Sequence, residues 1–231
     1  MTPPQLTEVE ALELLAQQYG LTGQLSALPG ERDRNFQLCL ASGEKNTFKV
    51  VSADVPLESL KVEIQAMQHL NSELGSLVPY PLADQAGRFI SQGSLQNGSS
   101  CWLRLQSWQP GIPLAEFRPH TTELFHSVGH LMGKVATLLS TLAVPDPHPD
   151  LPWHPDQASQ IVEEGLSSVT DPLLKNFLVQ TLRLYDRYGR PLETDLPRSL
   201  IQNDANDYNI LIHGGLEGPP KLSLIDFGDM V

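Results

Sequence analysis

Near the end of the chain, Asn203-Asp204-Ala205-Asn206-Asp207-Tyr208-Asn209 sets an Asp and an Asn five residues apart. A second Asp opens Asp226-Phe227-Gly228, directly after an apolar run. These residue types and spacings suit metal-assisted phosphoryl transfer. Asp204 would receive the proton of an attacking hydroxyl. Asn209 and Asp226 would hold magnesium ions against nucleotide phosphates. Taken alone, Asp-x-x-x-x-Asn is common loop composition, because both residues favour turns. The neighbours change that balance. Leu200-Ile201 enters the loop, Ile210-Leu211-Ile212 leaves it, and a hairpin leads on to Asp226. Two carboxylates at the ends of paired strands would then face one cleft.

These groups need elements to position them. Residues 7–19 carry apolar side chains at helical spacing, with Gly20 placed to end the helix. Short alternating runs follow. They predict strands over 25–28, 35–41 and 47–51, with turns at 29–34 and 42–46. Pro56 predicts the start of a helix over 57–74. Two more strands are expected over 89–92 and 100–108. Pro110-Gly111-Ile112-Pro113 reads as a hinge, dividing the chain into units 1–108 and 109–231. Beyond it, amphipathic helices are expected over 121–142, 156–169 and 172–188, with a Pro-, Asp- and His-rich surface loop at 144–155. Residues 199–202, 210–213 and 222–225 read as short strands around the two motifs.

Composition narrows the function classes. The chain has 231 residues, of which 40% are hydrophobic, enough for a real core. A net charge of −12 disfavours nucleic acid and anionic membrane as partners. It suits a cationic substrate such as an amine or amino alcohol. Cys39 and Cys101 lie in apolar stretches and read as core fillers in a reducing, cytoplasmic compartment. No apolar run reaches membrane-spanning length.

With these motifs in this order, the chain resembles the aminoglycoside phosphotransferase and choline kinase superfamily. Asn-Asp-Ala-Asn-Asp-Tyr-Asn-Ile-Leu is most similar to phosphotransferase domains of hydroxylysine kinase type and to those fused to aminotransferases. The resemblance implies an α+β, bilobal protein-kinase-like fold: an antiparallel sheet plus helix, then a mostly helical lobe. It implies ATP or GTP as phosphoryl donor, Mg2+ as metal, and a hydroxyl-bearing small molecule as acceptor. A hydroxylysine-like amino alcohol is favoured over aminoglycosides, choline or homoserine. It also implies that Lys49, on the third strand, clamps phosphates. Lys49 would be paired with a carboxylate on the next helix. Leu60, Glu63, Met67 and Leu70 share a helical face, which selects Glu63. A solvated lysine and a solvated glutamate are the competing readings. Asn35, in the polar turn 29–36, is expected at the phosphates. Arg32 and Arg34 are either phosphate ligands or ordinary hairpin charges. Gln106, in the stretch 106–108, is expected at the nucleotide base, though the aromatics there could equally be core.

Two departures stand out. Gln202 occupies the place where the family has His, whose role is to brace the loop against the Asp-Phe-Gly segment. The sequence also stops two residues after Asp229, whereas relatives continue with several helices. The long helix over 121–142 is therefore expected to lack partners and expose apolar surface. A nucleotide-binding or interaction module without turnover is the alternative function.

Overall fold

The fold is described from a computed structural model covering residues 3–148, 150–214 and 221–231. Helix α1 (Glu8–Tyr19) begins where the Thr7 hydroxyl accepts the Glu10 N–H. It ends at Gly20, whose φ of +66° is cheap only for glycine. Its inner face, Ala11, Leu14, Leu15 and Tyr19, packs on one side of a six-stranded antiparallel sheet. The strands are β1 (Gly23–Leu28), β2 (Arg34–Leu40), β3 (Lys45–Ser52), β4 (Pro81–Leu82), β5 (Ser91–Ser94) and β6 (Ser100–Ser107). They run in the order β1-β2-β3-β6-β4, with β5 also on β6. Period-two alternation sends Phe48, Val50, Leu103 and Leu105 toward α1. Lys49 and Arg104, which face each other across β3 and β6, therefore turn to the other side.

That other side is covered by α2 (Leu57–Leu74). Its apolar stripe of Val62, Ala66, Met67 and Leu70 joins a second core. This core also takes α3 (Thr122–Leu139) and the three-stranded sheet of β7 (Ile112–Pro113), β8 (Ile210–His213) and β9 (Lys221–Leu224). Two sheets, each with its own helices, make an α+β, bilobal, protein-kinase-like fold.

Several expectations are corrected. The hinge at 110–113 is partly strand, because Ile112 and Pro113 pair with Ile212 and Leu211. A Cβ on Gly111 would stand 2.9 Å from the Ile212 carbonyl, so this close approach needs glycine. Residues 199–202 form no strand. Instead Ile201 exchanges two backbone hydrogen bonds with Val231, at 2.9 and 3.3 Å. The helix expected over 121–142 is shorter and well partnered, burying Leu124, Leu131, Val135 and Leu139. It still exposes Phe125, and the larger apolar exposure falls on α5 (Pro172–Leu184), where Leu173 and Phe177 are 81% and 65% exposed. Helix α4 (Ala158–Gly165) lies between the two. The 144–155 loop is not merely surface. Leu151 is buried, and Ser59 on α2 donates to the Pro147 carbonyl.

Candidate active site

The loop between residues 202 and 209 is built by its own amides. Asn209 donates both side-chain hydrogens to Asp204, one to its carbonyl at 2.8 Å and one to Oδ2 at 2.7 Å. Asn206 donates to Oδ1 of the same carboxylate at 2.8 Å. Asp204 is thus oriented by two neutral side-chain donors. The Asn209 amide hydrogens are spent, which leaves its carbonyl oxygen as the end suited to a metal.

Gln202 ties this loop to the second motif. It is 3% exposed. Its Nε2 donates to the Asp226 carbonyl at 2.7 Å, and its Oε1 accepts the Asp204 N–H at 2.9 Å. The brace expected of a His at this place is made here by Gln, through one donor and one acceptor. Ile225 N–H donates to the Asn209 carbonyl at 2.9 Å and completes the junction. Asp226 holds a positive φ of 57°, uncommon for a non-glycine residue and found at constrained functional loops.

Lys49 meets Asp226 from 177 residues away in sequence, with Nζ 3.2 Å from Oδ1. It lies 3.7 Å from Asp33 as well. Burial alone would push the ammonium down, but Asp226 and Asp33 outweigh it and keep its pKa raised. Lys49 in turn holds the Asp226 carboxyl below its ordinary range. Both groups are therefore charged at neutral pH. Asp226 keeps nearly half of its side chain exposed, and Oδ1 takes both Lys49 and the Gly228 N–H. Oδ2 is the oxygen suited to a metal.

Glu63 does not pair with Lys49. Its partner is Arg104, in a buried ion pair through Oε2, with His148 3.7 Å from Oε1. Burial alone would raise the Glu63 pKa; Arg104 brings it down. The physical reason lies in strand register. Arg104 stands directly opposite Lys49, so two cations share one spot and the nearby acids divide between them. Arg104 reaches α2 with its longer fork, while Lys49 reaches Asp33 and Asp226. Arg104 and Asp33 are therefore members of the site that sequence reasoning missed. The signal for Arg104 was a charge at a buried-type strand position; Asp33, on the turn before β2, carried none.

The turn at 29–33 closes over this cluster. Asn35 lies opposite Lys49 on β2, and its amide donates to the Pro29 carbonyl at 3.2 Å. Its Oδ1 is buried without a hydrogen-bond partner. A Cβ on Gly30 would sit 2.5 Å from the Asp33 backbone carbonyl oxygen, so the turn needs that glycine. Arg32 donates to the Gly228 carbonyl at 2.7 Å and forms an ion pair with Asp229. It also lies over the Trp153 ring, 5.5 Å from its centre. Trp153 in turn donates to Asp229 at 3.0 Å. Gln106 is buried on β6 between Thr47 and Pro81, and a cleft of about 300 Å3 opens at the residues just after it.

Among the described residues, no group of three or more His, Cys, Asp or Glu side chains forms a self-sufficient metal site. Asn209 and Asp226 fit the other kind of site. Magnesium commonly takes one or two protein oxygens and completes its shell with phosphate and water.

Residues 25–231 match the model of the phosphotransferase enzyme family. No curated protein matches the chain. Among solved structures, an amicoumacin kinase in complex with AMP-PNP and Ca2+ superposes with a TM-score of 0.67 at 18% identity. The match covers 97% of this chain and 65% of that one. A microcompartment-associated aminopropanol kinase gives 0.66 at 13%, covering 97% and 70%. The GDP complex of an aminoglycoside 2'-phosphotransferase-IIIa variant gives 0.66 at 15%, covering 97% and 72%. At such identities these likenesses establish the fold. The chain spans about two thirds of the length of these proteins. With most of its length matched to the family, the chain belongs to the phosphotransferase enzyme family.

Proposed function

We infer that this family member encodes transfer of the γ-phosphoryl group of ATP or GTP to a hydroxyl of a small amine-bearing molecule. The observation that carries the reading is the convergence of Lys49, Asp226 and Asp204 through two short links. Lys49 reaches Asp226, and Gln202 joins the Asp226 carbonyl to the Asp204 N–H. In this assignment Lys49 binds phosphate oxygens. Asn35 and the turn amides lie over the phosphates, and Gln106 lies near the base. Asn209 and Asp226 hold Mg2+. Held there, the metal would supply charge neutralisation to the phosphates. Asp204 accepts the acceptor's hydroxyl proton as the new oxygen–phosphorus bond forms and the bond from the γ-phosphorus to the β,γ-bridging oxygen breaks, with ADP or GDP as the leaving group. Positioning and charge neutralisation supply most of the rate. Glu63 acts indirectly, by fixing Arg104 beside Lys49.

The acceptor class is supported by the chain's acidity and by the printed substrates of two structural relatives, an aminopropanol kinase and an aminoglycoside phosphotransferase. A hydroxylysine-like amino alcohol is the first candidate. The test is calorimetry with ATP and GTP, each with and without Mg2+, on the wild type and Asp226→Ala. Metal-dependent binding that Asp226→Ala abolishes is expected, followed by phosphorylation of an amino alcohol such as 5-hydroxylysine. A folded protein that binds neither nucleotide would overturn the reading. Binding without turnover on any hydroxyl acceptor would leave a nucleotide-binding module.

A further inference from the structure

We propose that Asp33 is a phosphate placeholder. Its carboxylate bridges Lys49 and Arg104 and gives way to the nucleotide's phosphates when turn 29–33 swings outward. The proposal rests on the phosphotransferase reading of this site.

The charge count motivates it. Two cations, Lys49 and Arg104, are surrounded by three carboxylates, Asp33, Glu63 and Asp226, leaving one net negative charge. A polyphosphate arriving with Mg2+ has the Asp226 charge offset by the metal, but it must still displace Asp33 to reach Lys49 and Arg104. Glu63 is not free to leave. It is almost fully buried on a helix and committed to Arg104. Asp226 is needed at the metal. Asp33 differs from both. It sits on a turn at the mouth of the cluster, its side chain is 16% exposed, and it holds its partners loosely. Oδ2 lies 3.7 Å from Lys49 Nζ and 3.6 Å from Arg104 Nη2. One carboxylate oxygen between two cationic groups imitates a phosphate oxygen. Its departure frees Lys49 and turns a second, preformed cation toward the ligand. Arg104 Nε, buried without a partner, shows that this guanidinium still has donor capacity.

The neighbouring residue is the latch. Arg32 holds the same turn down on Gly228 and Asp229 and lies over Trp153. Opening the turn therefore moves a cation away from the Trp153 ring.

Holding the placeholder in the site lowers apparent affinity by the fraction of molecules with the turn open. Removing the carboxylate should remove that penalty. Calorimetry with MgATP and MgGTP on the wild type, Asp33→Asn, Asp33→Ala and Asp33→Glu provides the first test. About tenfold tighter binding is expected for the Asn and Ala variants, and no gain for Glu. Wild-type binding that is unchanged or weakened in both neutral variants would overturn the placeholder and leave the phosphotransferase reading intact. No nucleotide binding by the wild type or any folded variant would overturn both. The second test needs no variant at position 33. Trp153 emission, isolated by subtracting a Trp153→Phe protein, should shift when MgATP is added. A saturating nucleotide signal by calorimetry with no Trp153 response would overturn the swinging turn.

Discussion

Gln202 shows how a single side chain joins two motifs. It donates to the Asp226 carbonyl and accepts from the Asp204 N–H, at a position almost closed to solvent. Gln202→Ala strands both groups. It should cost about 1–3 kcal/mol in urea unfolding, with Gln202→His recovering part of the loss. Glu63 offers a sharper test. If Arg104 is its partner, Arg104→Met leaves a buried carboxylate unpaired and costs about 3–5 kcal/mol. The double variant Arg104→Met/Glu63→Leu should recover much of this. A double-mutant cycle will show stronger coupling of Glu63 to Arg104 than to Lys49. The reverse order would restore the pairing that helix periodicity alone suggested.

Among the elements, the connection from β4 to β5 hangs on Asp84. One oxygen accepts the Ala86 and Arg88 N–H groups at 2.8 Å each, and the other accepts the Ser91 hydroxyl at 2.7 Å. Burial alone would raise its pKa. The Arg88 N–H, the Ser91 hydroxyl and the Arg88 guanidinium outweigh burial and lower it from 3.8 to about 2. A depressed carboxylate stabilises the fold fully above its unfolded pKa and loses that contribution as pH falls toward its folded one. Asp84 should therefore contribute fully above about pH 4 and progressively less toward pH 2. In Asp84→Asn, this acid-dependent component of stability should disappear from denaturation curves measured across that range. An unchanged pH dependence would show that Asp84 contributes nothing to it. Strands β1, β2, β3 and β6 were readable from alternation, and α2 from its proline and apolar stripe, whereas the two-residue β4 was not and β5 lies two residues beyond its expected place. The turn that Asp84 organises was not readable. Its acceptor pattern depends on where Arg88 and Ser91 return, which spacing does not specify.

For the whole molecule, α1 and the six-stranded sheet form one core, while α2, α3 and the β7–β9 sheet form another. Helix α5 contributes little to either and leaves Leu173, Leu174, Phe177 and Leu184 exposed. An apolar face of this kind binds hydrophobic dye and drives self-association. Leu173→Lys with Phe177→Glu should lower dye binding and light scattering. Because neither side chain is buried, stability should change by no more than about 0.5 kcal/mol. A large loss of stability would mean that this face packs against something in solution.

The sequence by itself picked out the candidate residues at 202–209 and 226–229, because each group lies on one short loop whose spacing is local. It determined most helices and strands for the same reason, since periodicity is read within one element. Only the tertiary structure decided the partners. Arg104 faces Lys49 because β3 pairs with β6 across some fifty intervening residues. Glu63 consequently meets a guanidinium, and Asp33 is left to bridge two cations. Arg32 meets Asp229 from the opposite end of the chain. Which charges neutralise one another depends on strand register and loop closure. Both are set by the packing of distant segments, which a local pattern does not encode.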